Sequence, residues 1–122
     1  MTTQEANTQS ISTAAAFLIA FIGATHEVVG ATLFPWAPPW FGPFLWHAIG
    51  FAAIIAGLLC LAHVWRKINI PVVLIGILIG IGGIAAMTLV AVKAQEFHYF
   101  AMWLSIAGFT VAFNQRKASA SN

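Results

Sequence analysis

Four long apolar runs, separated by short connections, decide what this chain can become. They cover roughly Thr13 to Leu33, Phe44 to Trp65, Ile70 to Val92 and Phe97 to Phe113. A helix that crosses a bilayer needs about 20 residues, with about 17 as the lower limit. The first three runs meet that requirement comfortably and the fourth just meets it. Lipid offers no hydrogen bonds, so only helices and closed barrels satisfy the backbone there. None of the runs alternates, which excludes barrel strands. The expectation is all-α: an integral membrane four-helix bundle, one domain over residues 1–122, with helices at about 13–33, 44–65, 70–92 and 97–113.

Composition points the same way. Of the 122 residues, 61% are hydrophobic and 7% charged, whereas soluble domains carry about 25% charged residues. The net charge of +2 is small and dispersed, which excludes the basic footprint of a nucleic-acid partner. Cys60 is the sole cysteine, so neither an intrachain disulfide nor a paired-cysteine metal knuckle can form. The opening "MTTQEANTQS" lacks the Lys or Arg that starts a secretory signal, so the first helix is expected to be retained. The tail "NQRKASASN" is expected to be short, polar and mobile.

Orientation follows from the basic residues. With four spans, both termini and the second connection share a side, which carries Arg66, Lys67, Arg116 and Lys117 against Lys93 on the other. The positive-inside rule then places both termini in the cytoplasm, and a bacterial inner membrane is the expected location. The first connection, "FPWAPPWFGP", is stiffened by proline. Its Trp36 and Trp40 suit the headgroup level, so it reads as an interfacial lid. Trp46 and Trp65 mark the two ends of the second helix.

Residues three and four apart share a helix face. In the first helix Ala16, Ala20, Gly23, Glu27 and Gly30 form one stripe, and small residues let membrane helices approach closely. Glu27 is therefore expected on a packing face, whereas His26, aligned with Ile19 and Ile22, is expected at its boundary. His47, Gly50, Ile54 and Gly57 repeat the pattern in the second helix. Gly76, Gly80 and Gly83 do so in the third, and His98, Ala101, Ser105, Gly108 and Ala112 in the fourth. At about 1.5 Å per residue, Glu27 lies roughly 9 Å below the outer end of its helix. His47 and His98 lie at similar depth, with Lys93 and Glu96 just above. His63 stands alone near the cytoplasmic end, where it is expected to reach toward the interface.

An ionisable group within a span is costly unless paired, and so marks a functional-site candidate. Glu27 and His47 are expected within reach of each other, with His26 or His98 completing a polar pocket beneath the lid. Such a set can hold a proton, a cationic substrate or a divalent metal; His26, His47 and His98 are the metal-ligand candidates. His47 and His98, on different helices, can also be asked to ligate haem.

Two resemblances arise here. The string Glu27-Val28-Val29-Gly30-Ala31-Thr32-Leu33 resembles the first helix of the small multidrug resistance family. That likeness implies that Glu27 alternately binds protons and cationic drugs. The pattern Gly23-xx-His26-xxx-Gly30-xxx-Phe34, with "LWHAIGFAAIIAG" in the second helix, is similar to small uncharacterised four-helix membrane proteins of bacteria. That likeness implies the fold but no function.

No enzyme signature is present. There is no phosphate loop and no Ser/His/Asp set, and the "HE" of the first helix lacks a second histidine because position 30 is glycine. The leading expectation is an accessory, structural or immunity-type membrane component, with no cofactor specified. The alternatives are a proton- or cation-coupled small transporter and an outer-side metal, haem or quinone site. The expected partners are the lipid bilayer and either further copies of the chain or a larger membrane complex.

Overall fold

A computed structural model describes residues 2–33, 42–95 and 97–120 of the chain. They form four helices: α1 (Thr3–Leu33), α2 (Gly42–Val64), α3 (Val72–Ala94) and α4 (Tyr99–Ala120). Trp36, Trp40 and Glu96 lie outside the described residues, and so do the side chains of Trp46 and Lys93 and the surroundings of Gly30. Among the described residues, three stretches are long and apolar enough to cross a membrane: Thr3–Val28, His47–Val64 and Val72–Val92.

Both terminal helices run further than their apolar runs. α1 begins at Thr3 rather than near Thr13 because its first turn is capped. The Glu5 amide donates to the Thr2 hydroxyl at 3.1 Å, and the Thr2 amide donates back to the Glu5 carboxylate at 3.2 Å. This is a capping box, in which a Thr and a Glu three residues on satisfy each other's backbone donors. At the other end α4 continues to Ala120, so 114–120 of the expected mobile tail are helical. Asn114 and Gln115 hold that extension against α1: both side-chain amides donate to the Ser12 hydroxyl at 2.7 Å, and Asn114 also donates to the Thr8 carbonyl at 2.8 Å.

The helices are arranged α2–α1–α4–α3, with α2 and α3 meeting only sparsely. The burial pattern follows this order. The outer helices each bury a single stripe: Gly50, Ala53, Gly57, Cys60 and Val64 on α2, and Val72, Gly76, Gly80 and Gly83 on α3. The inner helices bury two faces, so Ser12, Ala15, Ala16, Ile19, Ile22, Gly23 and His26 are all buried on α1. Large side chains such as Phe17, Phe21, Phe51, Ile55, Leu74 and Leu78 point outward. A soluble surface would not carry so many, whereas lipid accepts them.

Glycine closes the seams within each pair. A methyl carbon added at Gly23 would stand 2.6 Å from the Gly50 carbonyl, and one at Gly57 would stand 2.5 Å from the Ala20 amide. Between α3 and α4, Gly76 and Gly108 face each other's backbone in the same way, at 2.7 and 2.8 Å, and Gly83 faces the Ala101 carbonyl at 2.6 Å. Gly80 lies instead under the ring of Phe109, and its carbonyl accepts a 2.6 Å hydrogen bond from the Ser105 hydroxyl.

The α2–α3 connection is also locally determined. The Lys67 amide donates to the Ala62 carbonyl and the Arg66 amide to the His63 carbonyl, with Arg66 left-handed at φ 61°. This is a Schellman ending, with Arg66 where glycine usually stands. His63 also braces the turn, where its Nδ1 accepts a 3.3 Å hydrogen bond from the Ile70 amide.

Candidate functional site

Glu27 points from α1 to α2, where His47 Nδ1 donates a hydrogen bond to its Oε2. The antiparallel course of the two helices makes this contact, because a residue near the end of α1 meets one near the start of α2. The pair is graded in exposure: Glu27 keeps 13% of its side-chain surface and His47 keeps 43%. Gly50, one turn beyond His47, gives the carboxyl its space. Any Cβ there would overlap the Glu27 side chain. Gly50 thus belongs to the site as well as to the seam. The second carboxyl oxygen, Oε1, is buried with no hydrogen-bond partner among the described residues.

His26 departs from expectation. It is completely buried, at 0% exposure, rather than lying at a boundary. The line of Ile19, Ile22 and His26 faces α4, because α1 is an inner helix with two neighbours. His26 there stacks on His98, with ring centroids 5.5 Å apart and planes 16° from parallel. Phe100 stands edge-on to both rings, at 5.8 Å and 6.1 Å. His98 is itself only 3% exposed.

The four expected residues therefore form two adjoining units: a Glu27–His47 pair on the α1–α2 seam and a His26–His98 stack on the α1–α4 seam. Among the described residues no three His, Cys, Asp or Glu side chains are placed to hold a metal ion. The trio His26, His47 and His98 thus does not make a metal centre. Geometry explains this, since the lone pairs of imidazole nitrogens lie in the ring plane. Parallel stacked rings such as those of His26 and His98 do not aim them at a common point.

Below the stack the bundle is open. A cavity of about 360 Å³ lies between α2 and α3, with α1 and α4 as its floor. Ile49, Ala52, Ala53 and Ala56 line it from α2, and Ile75, Leu78, Ile79 and Gly82 from α3. His26 and His98 are the polar side chains in a lining that is otherwise aliphatic or glycine, with no charged residue among those described. Sequence reasoning missed this groove. Its one signal was Gly82, a glycine off the packing stripe, where a methyl carbon would meet nothing within 4 Å. No family model, curated protein or solved structure matches the chain.

Proposed function

We propose that this chain is a four-span accessory component of a bacterial inner membrane, with both termini in the cytoplasm, that receives a lipophilic molecule from the bilayer in the groove between α2 and α3. The observation that carries this reading is the contrast between seams. Backbone-level glycine contacts close α1–α2 and α3–α4, and side-chain hydrogen bonds tie α1 to α4, while α2 and α3 stand apart around about 360 Å³. That volume falls within the range of about 300–1,000 Å³ usual for small-molecule sites. It is too small for a partner helix, whose diameter with side chains is about 10–12 Å. The role is one of binding, in which α1 and α4 supply a rigid wall and α2 and α3 the flanks.

Bulk introduced at the groove tests this. Gly82→Phe and Ala52→Phe place rings in the cavity from opposite sides, at positions that are exposed and away from the seams. Native mass spectrometry of the detergent-solubilised wild type is expected to show a bound lipophilic adduct that both variants lose without a fall in melting temperature. A wild type without an adduct, or variants that keep it, would sink the proposal.

A second reading, proton- or cation-coupled transport, is favoured by the Glu27–His47 pair, whose buried carboxyl joins a partly exposed imidazole. It requires Glu27→Gln to abolish proton-driven uptake of a cationic dye into vesicles. Unchanged uptake would remove it.

A further inference from the structure

We infer that the groove's occupant is an anionic phospholipid, with an acyl chain between α2 and α3 and its phosphate against Arg66 and Lys67 on the connection that joins those helices. This rests on the groove being a ligand site and adds what the ligand is. The shape of the groove selects a chain. It follows α3 from Ile75 to Ala86, about 16 Å at about 1.5 Å per residue. Spread over that length, about 360 Å³ makes a slot rather than a chamber. Ala52, Leu78 and Gly82 are exposed along it, so its open side is apolar and admits a chain sideways from lipid. The position of the groove places the head. Ile75 stands three residues from the start of α3, which brings the slot to within about 5 Å of the connection along the helix axis. Exposed Trp65 and Ile68 flank the basic pair there, and Trp favours the headgroup level. A chain leaving the slot at this end delivers its head to the connection. Charge then selects the head. The connection reads Trp65-Arg66-Lys67-Ile68-Asn69-Ile70-Pro71, two cations without an anion, and both cations are exposed. Glu5, on α1 at the same end, is engaged by the Thr2 amide. Arg and Lys bind phosphate oxygens through charge-assisted hydrogen bonds, whereas a choline or ethanolamine head would bring a cation of its own to the pair.

The test compares two heads on identical chains. The detergent-solubilised full chain is titrated with dioleoyl phosphatidylglycerol or dioleoyl phosphatidylcholine, and the bound lipid is read by native mass spectrometry. The wild type is expected to hold phosphatidylglycerol about tenfold more tightly, the scale set by two basic residues beside an anionic head. Arg66→Gln combined with Lys67→Gln is expected to bring the two lipids within about twofold of each other. A pair that served only to orient the chain at insertion would leave the preference unmoved when removed. The same changes at Arg116 and Lys117, on α4 and outside the connection, are expected to keep the preference. Gly82→Phe is expected to weaken both lipids. Equal binding of the two by the wild type, with Gly82→Phe still excluding both, overturns the head assignment and leaves the groove as a site for apolar chains. A preference for phosphatidylglycerol that survives Gly82→Phe at full strength overturns the chain's place in the slot. A preference lost equally with Arg116 and Lys117 overturns the assignment to the connection. Binding of neither lipid overturns the groove reading as well. The comparison on wild-type protein does not depend on any variant folding.

Discussion

Gly50 and Glu27 are made for each other: the glycine lacks the one carbon that would occupy the carboxyl's place, and His47 on the next turn supplies the proton donor. Removing one partner leaves the other facing an apolar seam, and a buried group so stranded costs about 1–3 kcal/mol. Because His47 is 43% exposed, it can recover part of its loss from its surroundings. Glu27→Ala and His47→Ala are each expected to destabilise the protein, with the glutamate change the milder because it strands the more exposed partner. The double variant is expected to cost less than their sum by about 0.5–3 kcal/mol, the usual coupling of touching residues. Unfolding of all three variants in one detergent supplies the cycle, and strict additivity would show that the contact carries no energy. This pair was legible from the sequence because spacing gave the faces and rise per residue gave the depths. His26 was not, since a rule of one packing face per helix cannot see that α1 has neighbours on two sides. The stack with His98 depends on that second neighbour.

Helices α1 and α2, and likewise α3 and α4, approach until only hydrogen atoms fit between the backbones. Gly23→Ala and Gly76→Ala each set a carbon against a carbonyl oxygen or amide less than 3 Å away. Backbone cannot yield as a flexible side chain does, so a loss of about 1–3 kcal/mol is expected from each. Gly82→Ala meets open space, and is expected to be neutral or to stabilise by about 0.5–1 kcal/mol through helix propensity. Thermal unfolding of the three variants checks the contrast, and a Gly82→Ala loss matching the other two would mean that glycine is not what closes these seams. The stripes of Gly23, Gly57, Gly76 and Gly83 could be read from spacing alone. Helix limits could not be read from hydropathy alone. Hydropathy reports where a helix suits lipid, whereas Thr2 and Glu5 begin α1, and Asn114 with Gln115 extend α4, by hydrogen bonding that an apolar profile does not record. The Thr2-to-Glu5 spacing was nonetheless a readable signal.

As a whole the molecule is two tight hairpins joined along α1 and α4 and parted along α2 and α3. At about 1.5 Å per residue, the 31 residues of α1 reach about 46 Å, beyond a hydrocarbon layer of about 30 Å. A bilayer of that thickness would leave part of α1 outside it, and the polar first turns lie beside the end of α4 that bears Arg116 and Lys117. If the positive-inside bias governs insertion, a reporter active only in the cytoplasm is expected to be fully active when fused after Asn122. Moving the charges, with Arg66 and Lys67 changed to Gln and two lysines added to the first connection, is expected to lower that activity severalfold. An unmodified chain with activity divided between the two sides would refute the single orientation. The order of helices in space also sets an order in time. Ser12 and Asn114 bond across 102 positions of sequence, so the wall between α1 and α4 has no existence until nearly all of the chain has left the ribosome. If the helices enter a bilayer in chain order, α1 waits there during that interval with Ser12 and His26 uncovered by α4, and α2 is the neighbour already made. The surface made first is the one sealed last, and the final helix decides whether the newborn chain presents lipid with a finished wall or with a buried histidine turned outward.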